Sequence, residues 1–322
     1  MKKTKILFIS LLVMALSMTS CLKDLEDYLG EFGGSPNIIE LSEASDAATG
    51  TTFLYVTYAP SEVDATIVRL NIASVNPLGS ATTVTMALDT NLVNDYAHSR
   101  GYDTLLKTDK NYCYQIPAAA LNVTTDEVVI PAGQREATWD IKINPSLIPN
   151  FFNLKYLLGI KIVSVTNGLT ISGNYGEKIV RVMAKNKYHG TYHSVGYFEH
   201  PSSPRGINMD KDFLSTGPNT VVGGYADLGG SGYKYSPITV NESTIITVPG
   251  RTETCYRVTF LFLPVGPTWY IYDLAAAKDF DGNLLPVENH NYCWADGNNK
   301  WHFELYTGYN GTRKSHETMV QY

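Results

Sequence analysis

From Ile38 onward the chain is written in short runs that alternate apolar and polar residues, broken by turn residues and only once replaced by a helical period. Successive side chains of a strand point to opposite faces. Residues 137–143 therefore place Trp139, Ile141 and Ile143 on one face and Asp140 and Lys142 on the other, which makes Trp139 a core residue. Residues 66–72 put Val68, Leu70 and Ile72 opposite Arg69 and Asn71, as in a half-exposed strand, whereas 51–58 (TTFLYVTY) is apolar on both faces and reads as a central strand. Val84, Met86 and Leu88 continue the pattern until Asp89 or Thr90 caps a short helix, with Leu92 and Tyr96 on one face and Gly101 as the stop. Up to residue 187 this amounts to roughly eight strands at the spacing of a β-sandwich.

Composition agrees with strands over helices. Tyr is abundant at 22 residues, and the chain is 44% hydrophobic but only 17% charged. A length of 322 residues suggests two domains. The expected class is all-β: an N-terminal immunoglobulin-like β-sandwich over 37–187, then a C-terminal antiparallel β-barrel of calycin type, or a second sandwich, over 188–322. The boundary is set near Asn186, Lys187 and Tyr188, where one strand pattern ends and KYHGTYHSVGYFEHP begins. Sequential antiparallel pairing of the later strands into a barrel would remove most sheet edges.

The first 21 residues address the chain to a membrane. Lys2, Lys3 and Lys5 precede an apolar run over 6–16, and small residues lead to Cys21, the pattern of a bacterial lipoprotein signal spanning 1–20. A run of 11 residues is well short of the roughly 20 that a spanning helix needs. Acylated Cys21 would anchor the chain in membrane lipid, each buried CH₂ contributing about 0.8 kcal/mol. Residues 21–36, acidic and then glycine-rich, read as a flexible tether. Loss of 1–20 removes three lysines and no acid, leaving 22 basic and 31 acidic residues and a formal charge of −9. Such a chain, without a basic cluster, is a poor partner for nucleic acid.

The order MALDTNLVNDYAHSRGYDTLL, NYCYQIP, VVIPAGQREATWDIKI, KYLLGIKI and a late KIVRV resembles the N-terminal β-sandwich domain of Bacteroidetes outer-membrane lipoproteins from polysaccharide-utilisation loci. That domain is of unknown function and also precedes some family-eighteen glycoside hydrolases. The resemblance covers roughly 38–187, and the phrase after Lys187 resembles the β domain that follows it in the same lipoproteins. It implies a spacer or platform beside hydrolases and an outer-membrane transporter. Asp24, Glu26 and Asp27 after Lys23 are similar to the acidic signal that sends such lipoproteins to the outer face of the outer membrane. The aspartate-rich strand of the family-eighteen enzymes is absent from the sequence, so their activity is not carried over.

Candidate chemistry is sparse. After Cys21 the odd set Cys113, Cys255 and Cys293 offers no disulfide framework, and Cys255 with Cys293 stays open between a pair and two buried thiols. His189 and His193, four apart on an expected strand, would lie about 13 Å apart, too far for one metal. KDFDGN at 278–283 lacks the glycine and the glutamate of a calcium loop and reads as a turn, and the glycine-rich 229–232 reads as a loop. No catalytic residue, metal or cofactor is assigned. The aromatic residues outside the alternation are the remaining signal, because a sugar's CH face stacks on an exposed ring. Trp269 and Trp294 are the expected stacking residues, joined by Tyr233, Tyr235, Tyr270 and Tyr272, whereas Trp301 is core. The sequence thus points to a non-catalytic, lipid-anchored protein on the cell exterior that binds a polysaccharide or oligosaccharide. A structural or adhesin-like subunit comes second and a hydrolase third. Cys21→Ala is expected to abolish labelling by a fatty-acid probe and partition with the outer membrane; equal labelling of wild type and variant would refute the anchor.

Overall fold

The computed structural model describes residues 37–74, 76–224, 226–228, 237–260, 271–273, 291–309 and 313–322. Alternating residues fill two facing sheets. The first contains β1 (Ile38–Leu41), β3 (Val63–Ala73), β6 (Leu121–Asn122), β8 (Glu136–Ile143) and β10 (Thr170–Ile171), in the order β10-β1-β3-β8-β6. The second contains β2 (Thr52–Thr57), β4 (Thr82–Leu88), β5 (Cys113–Gln115), β7 (Glu127–Ile130), β9 (Lys155–Val165) and β11 (Glu177–Lys185). Its order is β2-β11-β9-β4-β7, with β5 added parallel to β9. Leu70, Trp139 and Ile141 from one sheet meet Val84, Ile160 and Val182 from the other in a single core, so this is the expected sandwich. Trp139 is fully enclosed, its indole N–H donating to the Thr125 carbonyl at 3.0 Å.

One helix, α1 (Thr90–Ser99), lies over the outer face of the second sheet at β9. Asp89 starts it by accepting from the Asn91 N–H at 2.9 Å, and its other carboxylate oxygen meets the Lys161 ammonium at 2.5 Å. These bonds hold the Asp89 carboxyl below the usual range. The helix buries Val93 and Ala97, one position on from the expected Leu92 and Tyr96, because Tyr96 turns sideways to donate from its hydroxyl to the Thr49 carbonyl. Gly159 permits the close crossing, since a Cβ there would run into the Asp89 carbonyl oxygen and the Leu92 side chain.

TTFLYVTY does not form a central strand. β2 is the edge of its sheet, paired only with β11, in parallel, with Phe53 opposite Arg181 and Tyr55 opposite Met183. Val56 enters the core, but Phe53 and Tyr55 are 41% and 45% exposed, because α1 covers the sheet at β9 and leaves the outer face of β2 open.

The remaining strands are β12 (Gly190–Glu199), β13 (Arg205–Gly217), β14 (Thr220–Val222), β15 (Ile238–Ile246), β16 (Cys255–Phe260), β17 (Ile271–Asp273), β18 (Tyr292–Ala295), β19 (Trp301–Tyr309) and β20 (Arg313–Gln321). Antiparallel pairing runs from β19 through β18, β16, β15, β14, β13, β12 and β20 and returns to β19, which closes a barrel rather than a second sandwich, with β17 attached to β19. β15 is interrupted by an irregularity between Asn241 and Ile245. Tyr188, Tyr192, Phe213, Trp301 and Phe303 fill the interior; Tyr192 and Phe213 each meet Phe303 edge-on at 5.5 Å.

A charge also lies inside. The fully buried Glu317 carboxylate accepts from Ser194 Oγ at 2.7 Å, from the Lys211 ammonium and from the Ala226 N–H at 3.2 Å. Burial without such partners would be prohibitive.

Substituting Gly159→Ala is expected to destabilise the sandwich by about 1–3 kcal/mol, because the added methyl has no space between β9 and the helix start. An unchanged thermal midpoint would show that α1 is free to shift.

Candidate functional site

The sandwich passes to the barrel through four residues, and buried bonds hold them. Asn186, 4% exposed, donates from its backbone N–H to Ser215 Oγ at 2.8 Å and from its side-chain amide to the carbonyls of Gly217 and Thr220 at 2.8 and 2.9 Å. Its Oδ1 accepts from the Tyr188 N–H at 2.9 Å. Tyr188 plugs the barrel end, edge-on to Trp301 at 4.5 Å, with its hydroxyl donating to Glu242 at 2.9 Å. Burial keeps that phenol protonated by raising its pKa.

This clamp turns His189 back toward the sandwich, its ring 5.3 Å from that of Tyr55. The Ser215 N–H donates to His189 Nδ1 at 3.2 Å, so Nε2 carries the proton of the neutral ring. Burial and the nearby Lys185 lower the His189 pKa and favour that neutral form.

A cleft of about 210 Å³ opens at this junction. Tyr55, Phe151 and Phe152 form apolar walls, His189, Leu214 and Ser215 close the barrel side, and Lys110, Lys155 and Arg181 contribute positive charge, with no carboxylate among the described residues of the lining. Lys155 lies 4.4 Å over the Tyr102 ring and Arg181 5.9 Å from the Phe53 ring. The buried Nε of Arg181 has no hydrogen-bond partner. Phe53 and Tyr55, two apart on β2, extend the aromatic wall outward along the same face. Aromatic surface beside a few polar groups in a concavity is suited to holding an amphipathic small molecule.

Trp269, Tyr270, Tyr233 and Tyr235, the turns at 229–232 and 278–283, and Cys21 fall outside the described residues, and only the backbone of Tyr272 is described, in β17. Trp294 is not a loop residue. It stands in β18, paired with His302 of β19, and is 4% exposed. Its ring stacks on His302 at 4.8 Å and 17°, and the Arg251 guanidinium lies 3.5 Å from its centroid. These contacts occupy ring surface that a sugar would need, so the structure makes Trp294 a packing residue. Cys113, Cys255 and Cys293 are free thiols, and burial raises the pKa of each. His189 precedes β12 and His193 meets Asp210 at 2.8 Å, so the two histidines serve separate neighbourhoods.

Sequence reasoning passed over Phe53, Tyr55 and Arg181. The available signal was the second apolar face of TTFLYVTY, assigned to a central strand, whereas Phe53 and Tyr55 on that face are exposed.

Sandwich, barrel and junction cleft together define a two-unit β protein. Residues 38–169 match the model of a protein family described as an N-terminal domain. Among solved structures the chain is similar to a Bacteroides ovatus protein of unknown function, with 14% identity, a TM-score of 0.43, and 89% of this chain and 94% of that one covered. It is also similar to an auxiliary nutrient binding protein from Bacteroides thetaiotaomicron (14% identity, TM-score 0.38, 86% and 93% covered) and to a two-domain protein with unknown function from Bacteroides fragilis (14%, 0.36, 93% of each). No curated protein matches the sequence.

Trp294→Ala is expected to lower stability by about 3–5 kcal/mol, as deletions of large enclosed side chains do. A thermal midpoint equal to that of wild type would return Trp294 to the list of exposed ligand-binding rings.

Proposed function

We propose that this chain is a non-catalytic lipoprotein, anchored through Cys21 in the outer membrane and facing the cell exterior, that captures a polysaccharide or oligosaccharide for a neighbouring outer-membrane transporter. The observation that carries the reading is the exposed pair Phe53 and Tyr55 beside the junction cleft. Two rings on alternate residues of one strand stand about 7 Å apart, a spacing that lets both touch one or two adjacent sugar units. His189 Nε2–H and Arg181 stand close by as donors for hydroxyl groups. The signal over 1–20, the tether over 21–36 and the resemblance in the sandwich sequence support the cellular setting. In this reading Trp269, Tyr270, Tyr272, Tyr233 and Tyr235 are further ligand positions on the barrel, and the sandwich carries more than a spacer's role.

The test is a glycan array probed with the mature chain carrying Cys21→Ser, followed by calorimetry on the polymer found. Phe53→Ala with Tyr55→Ala is expected to weaken binding about thirtyfold, the equivalent of about 2 kcal/mol for central stacking rings. The thermal midpoint should stay near that of wild type, since exposed side chains support little core. Unchanged affinity in the double variant would move the site away from β2, and an array without any bound glycan would favour a surface subunit for protein partners.

A further inference from the structure

We propose that the sugar received in the junction cleft carries an anionic group, a uronate carboxylate or a sulfate ester, and that Arg181 is its principal receptor, with Lys155 and Lys110 beside it. The inference rests on the glycan reading above and adds the chemical class of the ligand.

The first ground is how the charge is distributed. The whole chain is acidic, with a formal charge of −6, and its expected mature form is more so. At long range such a molecule repels an acidic polymer. Against that background the cleft is lined by three cations and, among the described residues, no carboxylate. Elsewhere in the same two units several cations are matched, Lys161 with Asp89, Lys187 with Glu242, Arg205 with Asp227 and Lys211 with Glu317, and Arg100 and Lys178 are bonded to backbone carbonyls. Lys110, Lys155 and Arg181 pair with no carboxylate among the described residues. The cleft is therefore a local positive site on a negative molecule, where nearby charges dominate because those beyond about 10 Å are largely screened at moderate salt.

The second ground is Arg181 itself. It projects from β11 on the outward face, opposite Phe53, and its Nε is buried without a hydrogen-bond partner. Buried donors are almost always satisfied, and each exception calls for an explanation, a bound water or ion among them. A guanidinium offers a planar fork that matches the two oxygens of a carboxylate or sulfate and stacks on an aromatic face as well. Ring and anion would be read together. A pyranose lying against Tyr55 would bring an exocyclic carboxylate or sulfate within reach of the cations that line the same cleft, where an anionic acceptor makes a stronger bond to a guanidinium than a neutral hydroxyl does.

The geometry also separates this cleft from a second concavity among the described residues, beside Glu40, Glu43 and Tyr175, which presents carboxylates. There the Lys178 ammonium is already bonded to the carbonyls of Leu41 and Glu43. That groove has no unmatched positive charge to offer.

The experiment uses the mature chain carrying Cys21→Ser in affinity electrophoresis and calorimetry against polygalacturonate, dextran sulfate and neutral dextran at low and moderate salt. Binding of either acidic polymer at least tenfold tighter than dextran is expected. The carboxylated and sulfated arms tell which anion is preferred. Arg181→Gln should reduce acidic-polymer affinity by about tenfold or more, the range of a charge-assisted hydrogen bond. Arg181→Lys should restore part of it, and Lys142→Gln, on the first sheet, should leave it unchanged. If Arg181→Gln melts early, the double variant Lys110→Gln with Lys155→Gln decides, with the same loss expected at an unaltered thermal midpoint. Neutral dextran bound as tightly as the acidic polymers, with Arg181→Gln and the lysine pair both indifferent and Phe53→Ala damaging, would overturn this inference while leaving the glycan function standing. Binding of no polymer, here or on the array, would overturn both. Equal loss in Lys142→Gln would reduce the effect to net charge and overturn the assignment to the cleft.

Discussion

One buried amide, that of Asn186, fixes the relation on which the cleft depends. Together with the Asn186 backbone N–H it makes three hydrogen bonds that tie the exit of β11 to the β13–β14 end of the barrel, and its Oδ1 accepts a fourth from the Tyr188 N–H, leaving little freedom in the three residues before β12. Loops between units usually move. Here the connection is buried, and Tyr188, its ring set in the barrel core, follows immediately. Tyr55 and Arg181 thus face His189 and Ser215 across a gap whose walls belong to different sheets but whose width is set by short-range bonds. A site prepared in this way loses less entropy on binding than one assembled from free domains.

The same constraint explains why aromatic residues divide as they do. Trp139 and Trp301 obey the alternation and are enclosed by it, and for those residues sequence and structure agree. Phe53 and Tyr55 obey it equally, yet their face is open. Alternation says which residues share a face but not whether another layer covers that face. Trp294 shows the opposite error. Asp296 and Gly297, just beyond it in the chain, begin a hairpin turn, with Asp296 Oδ1 accepting from the N–H groups of Asn298 and Lys300. The strand before that turn is only four residues long, too short to display a period, so a strand residue looked like part of the loop.

Much of the architecture was legible because it rests on local rules: the helix start at Asp89 and the β class. The cleft was not. Phe53 and Arg181 are neighbours only because β2 and β11 pair in parallel across most of the sandwich sequence, and His189 joins them only through the clamp at Asn186. No spacing within a window of ten or twenty residues encodes such a meeting. The unmatched cations are equally invisible in composition, since an overall acidic count conceals a small positive enclave.

The Lys211–Glu317 pair inside the barrel has a consequence for how the barrel can close. Both side chains point inward, from β13 and β20, on either side of β12, and Ser194 of β12 completes the bridge between them. A slip of either strand by one residue would turn its charged partner outward and strand the other in the apolar interior, where an uncompensated charge is strongly unfavourable. Hydrophobic alternation also resists a one-residue slip, but it tolerates a slide of two residues, which keeps the same face inward. A single opposed pair of charges does not, and it acts as an index mark that distinguishes the native stagger of three adjacent strands from its nearest competitors.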